Sequence, residues 1–460
     1  MDEGHKAGRA KINRRTFLKA VGGTAAAVGL SAQAKWTSAA AMPMRGTTLR
    51  ALVYPWPPTV AIRDALPEYE KLTGVRVEWE EVGYNDLLAK IMMELVTKSG
   101  RYDIFVPNNF WNGQLAATES VEVLDEYIGK AGSALDYNDF LAAAREQYAY
   151  KGKIYQIPQS LNTYTCCWRT DVFEQEGIKP PADRIFSASD WTKLVKQLTK
   201  GGKYGTTFAT KSPNTRAGQD WSNALMSAGG RYFDENMNPI FNSKEGLAAA
   251  NFWNDLLPAC PPDQLSYGHV ESNESMARGI SVTITSQSAG RIPMITDPKK
   301  STVAGKVAWG LLPHGGLAGS RLRVGQSYSD GFGYLIPKDS KQKKEAWEFL
   351  VWATSKDKQV KWAEIPVLPT RKSVFANQDL LKRQPWLDVI RRQLENTYVF
   401  PQIPETTEIL DRLGTELIAA YGKQFSTKEA LDRVTVWAAQ HLKERGYPVG
   451  TWKGPKLPWE

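Results

Sequence analysis

Cysteine, histidine and long apolar runs are scarce in this 460-residue chain, and each scarcity removes a class of protein. Three cysteines, Cys166, Cys167 and Cys260, exclude a disulfide scaffold. A bridge between the adjacent pair closes a strained ring, which leaves three buried thiols or one bridge from Cys166 or Cys167 to Cys260. Four histidines, His5, His269, His314 and His441, are isolated from one another. No HExxH, GxSxG or GxxxxGK[ST] occurs, so neither zinc, triad nor nucleotide chemistry has its usual spacing and no cofactor is implied. His269 with Glu271 and Glu274 is a local cluster, at a spacing that also describes a solvated helix start. After residue 34 no segment approaches the roughly 18 apolar residues of a membrane span. Excess charge is small: residues 1–34 hold six basic and two acidic side chains, and removing their +4 from the chain's +9 leaves +5. Basic residues alternate with Asp and Glu along the chain, which describes a solvated surface and no nucleic-acid partner.

What is present begins at Arg14-Arg15, inside Asn13-Arg14-Arg15-Thr16-Phe17-Leu18-Lys19, followed by a short Ala- and Gly-rich stretch to Leu30. Ala32-Gln33-Ala34 offers the small-x-small pattern of a cleavage site. This is the pattern of a twin-arginine export signal over residues 1–34, which predicts a periplasmic protein that uses the twin-arginine machinery and loses its signal. About 426 residues then remain, too many for one core, so two lobes are expected.

Short β-rich runs at 49–53, 75–80 and 103–106 alternate with helical patterns at 59–73 and 84–98, a βαβαβ unit with a parallel sheet. In the second helix Tyr84, Leu87, Leu88, Ile91, Met92 and Leu95 form one apolar stripe, with Asp86, Lys90 and Glu94 predicted in water. Gly74 is placed to cap the first helix, and Pro67 to bend it without ending it. A turn at Lys151-Gly152-Lys153 leads to β-like runs at 154–157 and 161–168, and a second αβ series includes a strand at 280–284 and another at 331–336. Beyond Thr370 the pattern is helical almost to the end.

Several segments in this order resemble the extracellular solute-binding proteins of ABC transporters, in the carbohydrate-binding family that includes maltose-binding proteins. They are Leu66-Pro67-Glu68-Tyr69-Glu70-Lys71-Leu72-Thr73-Gly74-Val75, Arg101-Tyr102-Asp103-Ile104-Phe105, Gly152-Lys153-Ile154-Tyr155-Gln156-Ile157-Pro158, Arg169-Thr170-Asp171-Val172-Phe173, Gly331-Phe332-Gly333-Tyr334-Leu335-Ile336-Pro337 and Pro401-Gln402-Ile403-Pro404. The resemblance implies a type II periplasmic-binding-protein fold of class α/β, two lobes joined by crossing strands around a ligand cleft. It places an N-terminal lobe at 48–161 with 330–370 and a C-terminal lobe at 162–329 with 371–460. It implies a monomeric receptor for a sugar, sugar alcohol or short oligosaccharide that delivers its ligand to ABC permease transmembrane subunits and does no covalent chemistry. The rival class is an exported glycoside hydrolase using two carboxylates.

Independently of family, a cleft at the carboxyl ends of the strands selects the loop Tyr54-Pro55-Trp56-Pro57-Pro58 and the loop after Val106. Trp56 then stacks on a sugar face or packs on the sheet edge, while the amides of Asn108 and Asn109 suit hydroxyl groups. At the implied crossings stand Asn162, Tyr164, Tyr328 and Asp330, with Gly331 as a hinge. Trp221 lies near an aromatic contact of the family. After Val282-Thr283-Ile284 the family's Trp platform is missing, which turns attention to Ser286 and Gln287. Glu405, after Pro404, either meets the ligand or complements a helix dipole.

Overall fold

The computed structural model describes residues 46–211, 216–364 and 368–450, all within a compact unit of Pro43–Glu460. The export signal and its cleavage site lie outside the described residues. Strands β1 (Thr48–Val53), β2 (Arg76–Glu81) and β3 (Ile104–Phe105) form a parallel sheet in the order β2-β1-β3, connected by helices Pro57–Thr73 and Tyr84–Thr97. In central β1 Leu49, Ala51, Leu52 and Val53 are fully buried while Arg50 is exposed and pairs with Glu78, so the strand is covered on both faces only toward its carboxyl end. The first helix opens on Pro57 and Pro58, where a missing N–H costs nothing. It continues through Pro67 and ends on Gly74 at φ 76°, whose N–H donates to the Glu70 carbonyl at 2.7 Å. The second helix buries Leu87, Ile91 and Leu95 as its spacing predicts. Glu94, predicted in water, is also buried and accepts from the Ser99 hydroxyl.

A hairpin of β4 (Ala149–Tyr150) and β5 (Lys153–Ile154) turns on Lys151 and Gly152, both left-handed, before β6 (Ile157–Pro158). The second sheet is antiparallel, with β7 (Tyr164–Arg169) between β8 (Thr283–Ser288) and β9 (Val307–Gly310). Here the sequence misleads: the strand expected at 280–284 begins at Thr283 and runs to Ser288. Its polar end is interior, because Thr285 accepts from the Trp191 indole at 2.9 Å and Ser286 donates to Asp220 at 2.7 Å. The four-residue β9 has no counterpart in the sequence reading.

β10 (Ser327–Tyr328) pairs in parallel with β12 (Thr397–Tyr398), and β11 (Gly333–Tyr334) pairs antiparallel with β6. Between them the chain crosses itself. Asn162 and Asp330 exchange backbone hydrogen bonds, Asn162 N–H to Asp330 O at 2.6 Å and Asp330 N–H to Asn162 O at 3.0 Å. The helix Trp386–Leu394 packs on β7 and β9, and Thr406–Tyr421 packs on both Arg216–Ser227 and Thr427–Glu444. No described helix is long and apolar enough to cross a membrane.

All three cysteines are buried and free, so the bridge to Cys260 does not form. The Cys166 thiol donates to the Leu311 carbonyl at 3.2 Å and that of Cys260 to Leu256 at 3.3 Å. Burial pushes all three thiols up from their ordinary range.

His314 is fully buried edge-on against Phe252 and Trp253, and neither ring nitrogen finds a partner among the described residues. Burial lowers its pKa from 6.5 to about 3. The folded ring therefore stays neutral where the unfolded chain takes up a proton, and stability is lost as pH falls from about 6.5 toward about 3. At pH 5 this costs about 2 kcal/mol, at about 1.4 kcal/mol per pH unit. His314→Phe is expected to lose about that much less stability than the wild type between pH 7.5 and 5 in chemical denaturation. Equal losses would mean that His314 is protonated in the folded protein.

Candidate functional site

A cavity of about 190 Å³ opens where the crossing strands meet the carboxyl end of the parallel sheet. One wall is aromatic. Tyr54 and Trp56 leave β1 in the short loop that Pro57 and Pro58 turn into a helix. Tyr84 is the first residue of the second helix, and Phe332 follows the crossing. Tyr54 stacks on Phe332 at 5.9 Å and meets Tyr84 edge-on at 5.6 Å, while Trp56 lies 6.3 Å from Phe332. The indole nitrogen of Trp56 has no partner among the described residues. Burial raises the Tyr84 phenol, so it stays protonated and a donor.

The polar floor is Asn108, Asn162 and Asp330. Asn108 caps the turn Asn109–Trp111, its Oδ1 accepting from Phe110 N–H at 3.0 Å, which aims its Nδ2 at Asp330 Oδ1, 2.9 Å away. Asn162 Nδ2 donates to Ser288 Oγ at 3.1 Å, and its Oδ1 accepts from Gly290 N–H at 3.0 Å. The opposite wall carries Tyr164, Ser288, His269, Arg216 and Arg291. His269 lies against the Tyr164 ring at 5.1 Å, and the Arg291 guanidinium sits 5.5 Å over the Trp56 ring, reaching across the cavity. Arg216 opens the helix Arg216–Ser227 and donates to Gln219 Oε1 at 2.8 Å. Burial works against its charge, but the oxygens of Tyr164, Tyr328, Asp330 and Tyr84 outweigh that and hold it protonated. Burial, then Arg216 and Arg291, drive the His269 pKa well below 6.5, so this imidazole is neutral.

Of the ten residues selected from sequence, Trp56, Asn108, Asn162, Tyr164 and Asp330 come together here. The other five lie outside the cavity and are engaged with protein. Asn109 is fully buried: its Nδ2 donates to Gln147 Oε1 and the Ser329 carbonyl, and its Oδ1 accepts from Gly331 N–H at 3.1 Å. Trp221 is core, its indole donating to the Gly246 carbonyl at 2.9 Å. Gln287 points into the second sheet, donating to Asn273 Oδ1 at 3.2 Å and accepting from Thr165. Tyr328 backs the Tyr164 ring at 4.5 Å and donates to Gln219. Glu405 accepts from the Tyr447 hydroxyl at 2.7 Å and pairs with Arg445. Ser286, weighed with Gln287, is held by Asp220. The His269 cluster separates too, for Glu271 accepts from Gly268 N–H at the helix start and Glu274 pairs with Arg278.

Sequence reasoning missed Tyr54, Tyr84, Arg216, Ser288, Arg291 and Phe332. Tyr54 sits in the very loop selected for Trp56. By spacing Tyr84 belongs to the apolar stripe, and a strand that ends at 284 in place of Ser288 gives Ser288 and Arg291 no location.

Two α/β lobes, crossing strands and an amide-rich, aromatic-walled cleft define the type II periplasmic-binding-protein class. The match of residues 64–386 to the family model of bacterial extracellular solute-binding proteins places this chain in that family. Residues 11–31 match the twin-arginine translocation signal, so the protein is exported to the periplasm. Among curated relatives, a probable amino-acid ABC transporter periplasmic-binding protein of Sinorhizobium fredii is 24% identical over 87% of this chain and 91% of its own. The mannitol-binding protein of Pseudomonas aeruginosa is also 24% identical, over 82% and 89%. An Agrobacterium radiobacter solute-binding protein in complex with ribitol superposes with TM-score 0.76 at 25% identity, covering 87% of this chain and all of that one. One from Agrobacterium vitis with bound D-mannitol gives 0.75 at the same identity and coverage.

Proposed function

We propose that this protein is the periplasmic receptor of an ABC importer and binds one sugar or sugar-alcohol molecule by lobe closure, passing it to the permease subunits. The observation that carries the reading is the cavity itself, where Tyr54, Trp56, Tyr84 and Phe332 face the amides of Asn108 and Asn162, the Asp330 carboxylate and the Ser288 hydroxyl. Aromatic faces suit C–H surfaces, and paired donors and acceptors suit hydroxyls. At about 190 Å³ the space is below the ~300–1,000 Å³ of pockets for drug-sized ligands, which favours one polyol or monosaccharide over an oligosaccharide. The ribitol and D-mannitol complexes of similar proteins point the same way.

In this reading Asn109, Gln287 and Tyr328 hold the crossing and the wall behind it, while Trp221 and Glu405 stabilise the helices. The lobes are 48–161 with 330–370 and 162–329 with 371–460, turning about the Asn162–Asp330 bridge. The signal ends near residue 34, and the exported protein works as a monomer without nucleic acid. Asp330 is the sole carboxylate among the described residues lining the cavity, whereas glycoside hydrolysis uses two, about 5–10 Å apart. Ligand should therefore be recovered unchanged.

A thermal-shift screen of the exported protein, refolded to strip carried ligand, tests this. Ribitol, mannitol or a related polyol or monosaccharide at about a thousand times its Kd is expected to add roughly 4 kcal/mol of stability. A response to amino acids alone would reject the reading, and release of reducing sugar from glycosides would restore the hydrolase.

A further inference from the structure

Arg216, Arg291 and His269 stand together on the wall facing the aromatic cluster, and an uncharged polyol leaves them without a task. Neither arginine has an ion pair within 4.0 Å among the described residues. Arg216 spends one N–H on Gln219, and Arg291 covers the face of Trp56. Facing them, Asp330 is the one lining carboxylate, and one of its oxygens is already taken by Asn108. With His269 neutral, the cavity carries two positive charges against one negative. Asp330 answers one of the two guanidinium charges, so closing the lobes over a neutral ligand would confine the other away from water, where an uncompensated ion is expensive. A guanidinium with unused donors in a shielded cleft is instead suited to a carboxylate or phosphate, which it grips by paired, charge-assisted hydrogen bonds. Both ring nitrogens of His269 also lack partners among the described residues, and one of them supplies a further N–H at the same place.

We infer that the ligand of this cleft is a polyhydroxylated molecule carrying one anionic group, a carboxylate or a phosphomonoester, received by Arg216 beside His269 and Arg291. The hydroxylated remainder lies between the aromatic wall and Asn108, Asn162 and Asp330. The inference rests on the polyol reading above and narrows it to sugar acids or polyol phosphates.

The test is calorimetric titration of the exported protein with two matched sets: mannitol, mannonate and mannitol 1-phosphate, then ribitol, ribonate and ribitol 5-phosphate. At least one anion is expected to bind about tenfold or more tighter than its uncharged parent. That advantage should shrink as salt rises from about 0.05 to about 0.5 M, where screening shortens to a few ångströms. Arg216→Gln should bring the affinities of anion and parent together. Preference for the carboxylate names a sugar acid, and preference for the phosphate a phosphomonoester. If the parents bind as tightly as both anions in wild-type protein, the inference is overturned and the polyol reading stands. If no member of either set binds while another uncharged polyol or monosaccharide does, the inference alone is overturned; if no polyol, sugar or anionic derivative of either binds, both are. The wild-type comparison decides the matter even where the Arg216 variant fails to fold.

Discussion

Gly290→Leu is expected to weaken ligand binding by about a hundredfold or more while leaving the unliganded protein's unfolding unchanged. A Cβ on Gly290 would lie 2.6 Å from Cη2 and 2.8 Å from Cζ2 of the Trp56 indole, inside any tolerated contact. The indole has little freedom to yield, because two prolines follow it, Phe332 lies 6.3 Å away on one side and the Arg291 guanidinium covers it at 5.5 Å. Trp56 follows β1 of the parallel sheet and Gly290 follows β8, so under the proposed lobe closure the clash arises as the two are brought together and is relieved when the cleft opens. The Gly290 N–H, which donates to Asn162, survives the substitution. A hundredfold loss corresponds to about 3 kcal/mol, comparable to the cost of overpacking a filled site. Calorimetry should show the loss, and small-angle scattering should show that ligand no longer contracts the molecule. Unchanged affinity would mean that Trp56 leaves Gly290 in the bound state, and with it that the cavity described is not the binding site.

The contact between Trp56 and Gly290 also shows what the sequence makes legible and what it does not. The loop carrying Trp56 was readable because it follows an apolar strand and is punctuated by prolines, both local signals. So were the helix Tyr84–Thr97, the Gly74 cap and the parallel order of the first sheet, since period, cap and crossover are properties of neighbours in the chain. The β8 segment defeated the same reasoning because Thr285, Ser286 and Gln287 are polar yet fully buried, each satisfied by a partner distant in sequence. Asn108 and Asn109 are chemically identical neighbours. A single step from extended backbone into a tight turn sends one into the cavity and the other behind the crossing, a choice made by Gln147 and Ser329 rather than by composition. Trp221 shows the limit for aromatics: a buried Trp is predictable, but whether it meets ligand or, as here, Phe241 at 6.0 Å depends on tertiary packing. Nothing local marks Arg216, because its meaning comes from facing Arg291 and His269, residues 50 or more positions away.

Gly331→Ala is expected to cost about 3 kcal/mol or more of stability and to weaken ligand binding as well. The position was attractive as a hinge, but the reason for glycine there is spatial: a Cβ would stand 2.2 Å from the Ser160 carbonyl oxygen and 3.1 Å from its carbon. These are backbone atoms. Ser160 N–H donates to the Phe332 carbonyl at 3.1 Å and Gly331 N–H to Asn109 Oδ1 at 3.1 Å, so neither strand can retreat without breaking hydrogen bonds in a buried crossing. Spreading the crossing moves Asn162 and Asp330, whose backbones are bonded to each other at this point and whose side chains line the cavity. Stability and affinity should therefore fall together, the first by chemical denaturation and the second by calorimetry. Gly129→Ala supplies the contrast: it lies within the helix Asp125–Ala131, nothing stands within 4 Å of the added carbon, and alanine there should stabilise by about 0.5–1 kcal/mol. If Gly331→Ala were as harmless, the two strands would not be in contact in solution, and the crossing that positions Asn162 and Asp330 would have to be drawn differently.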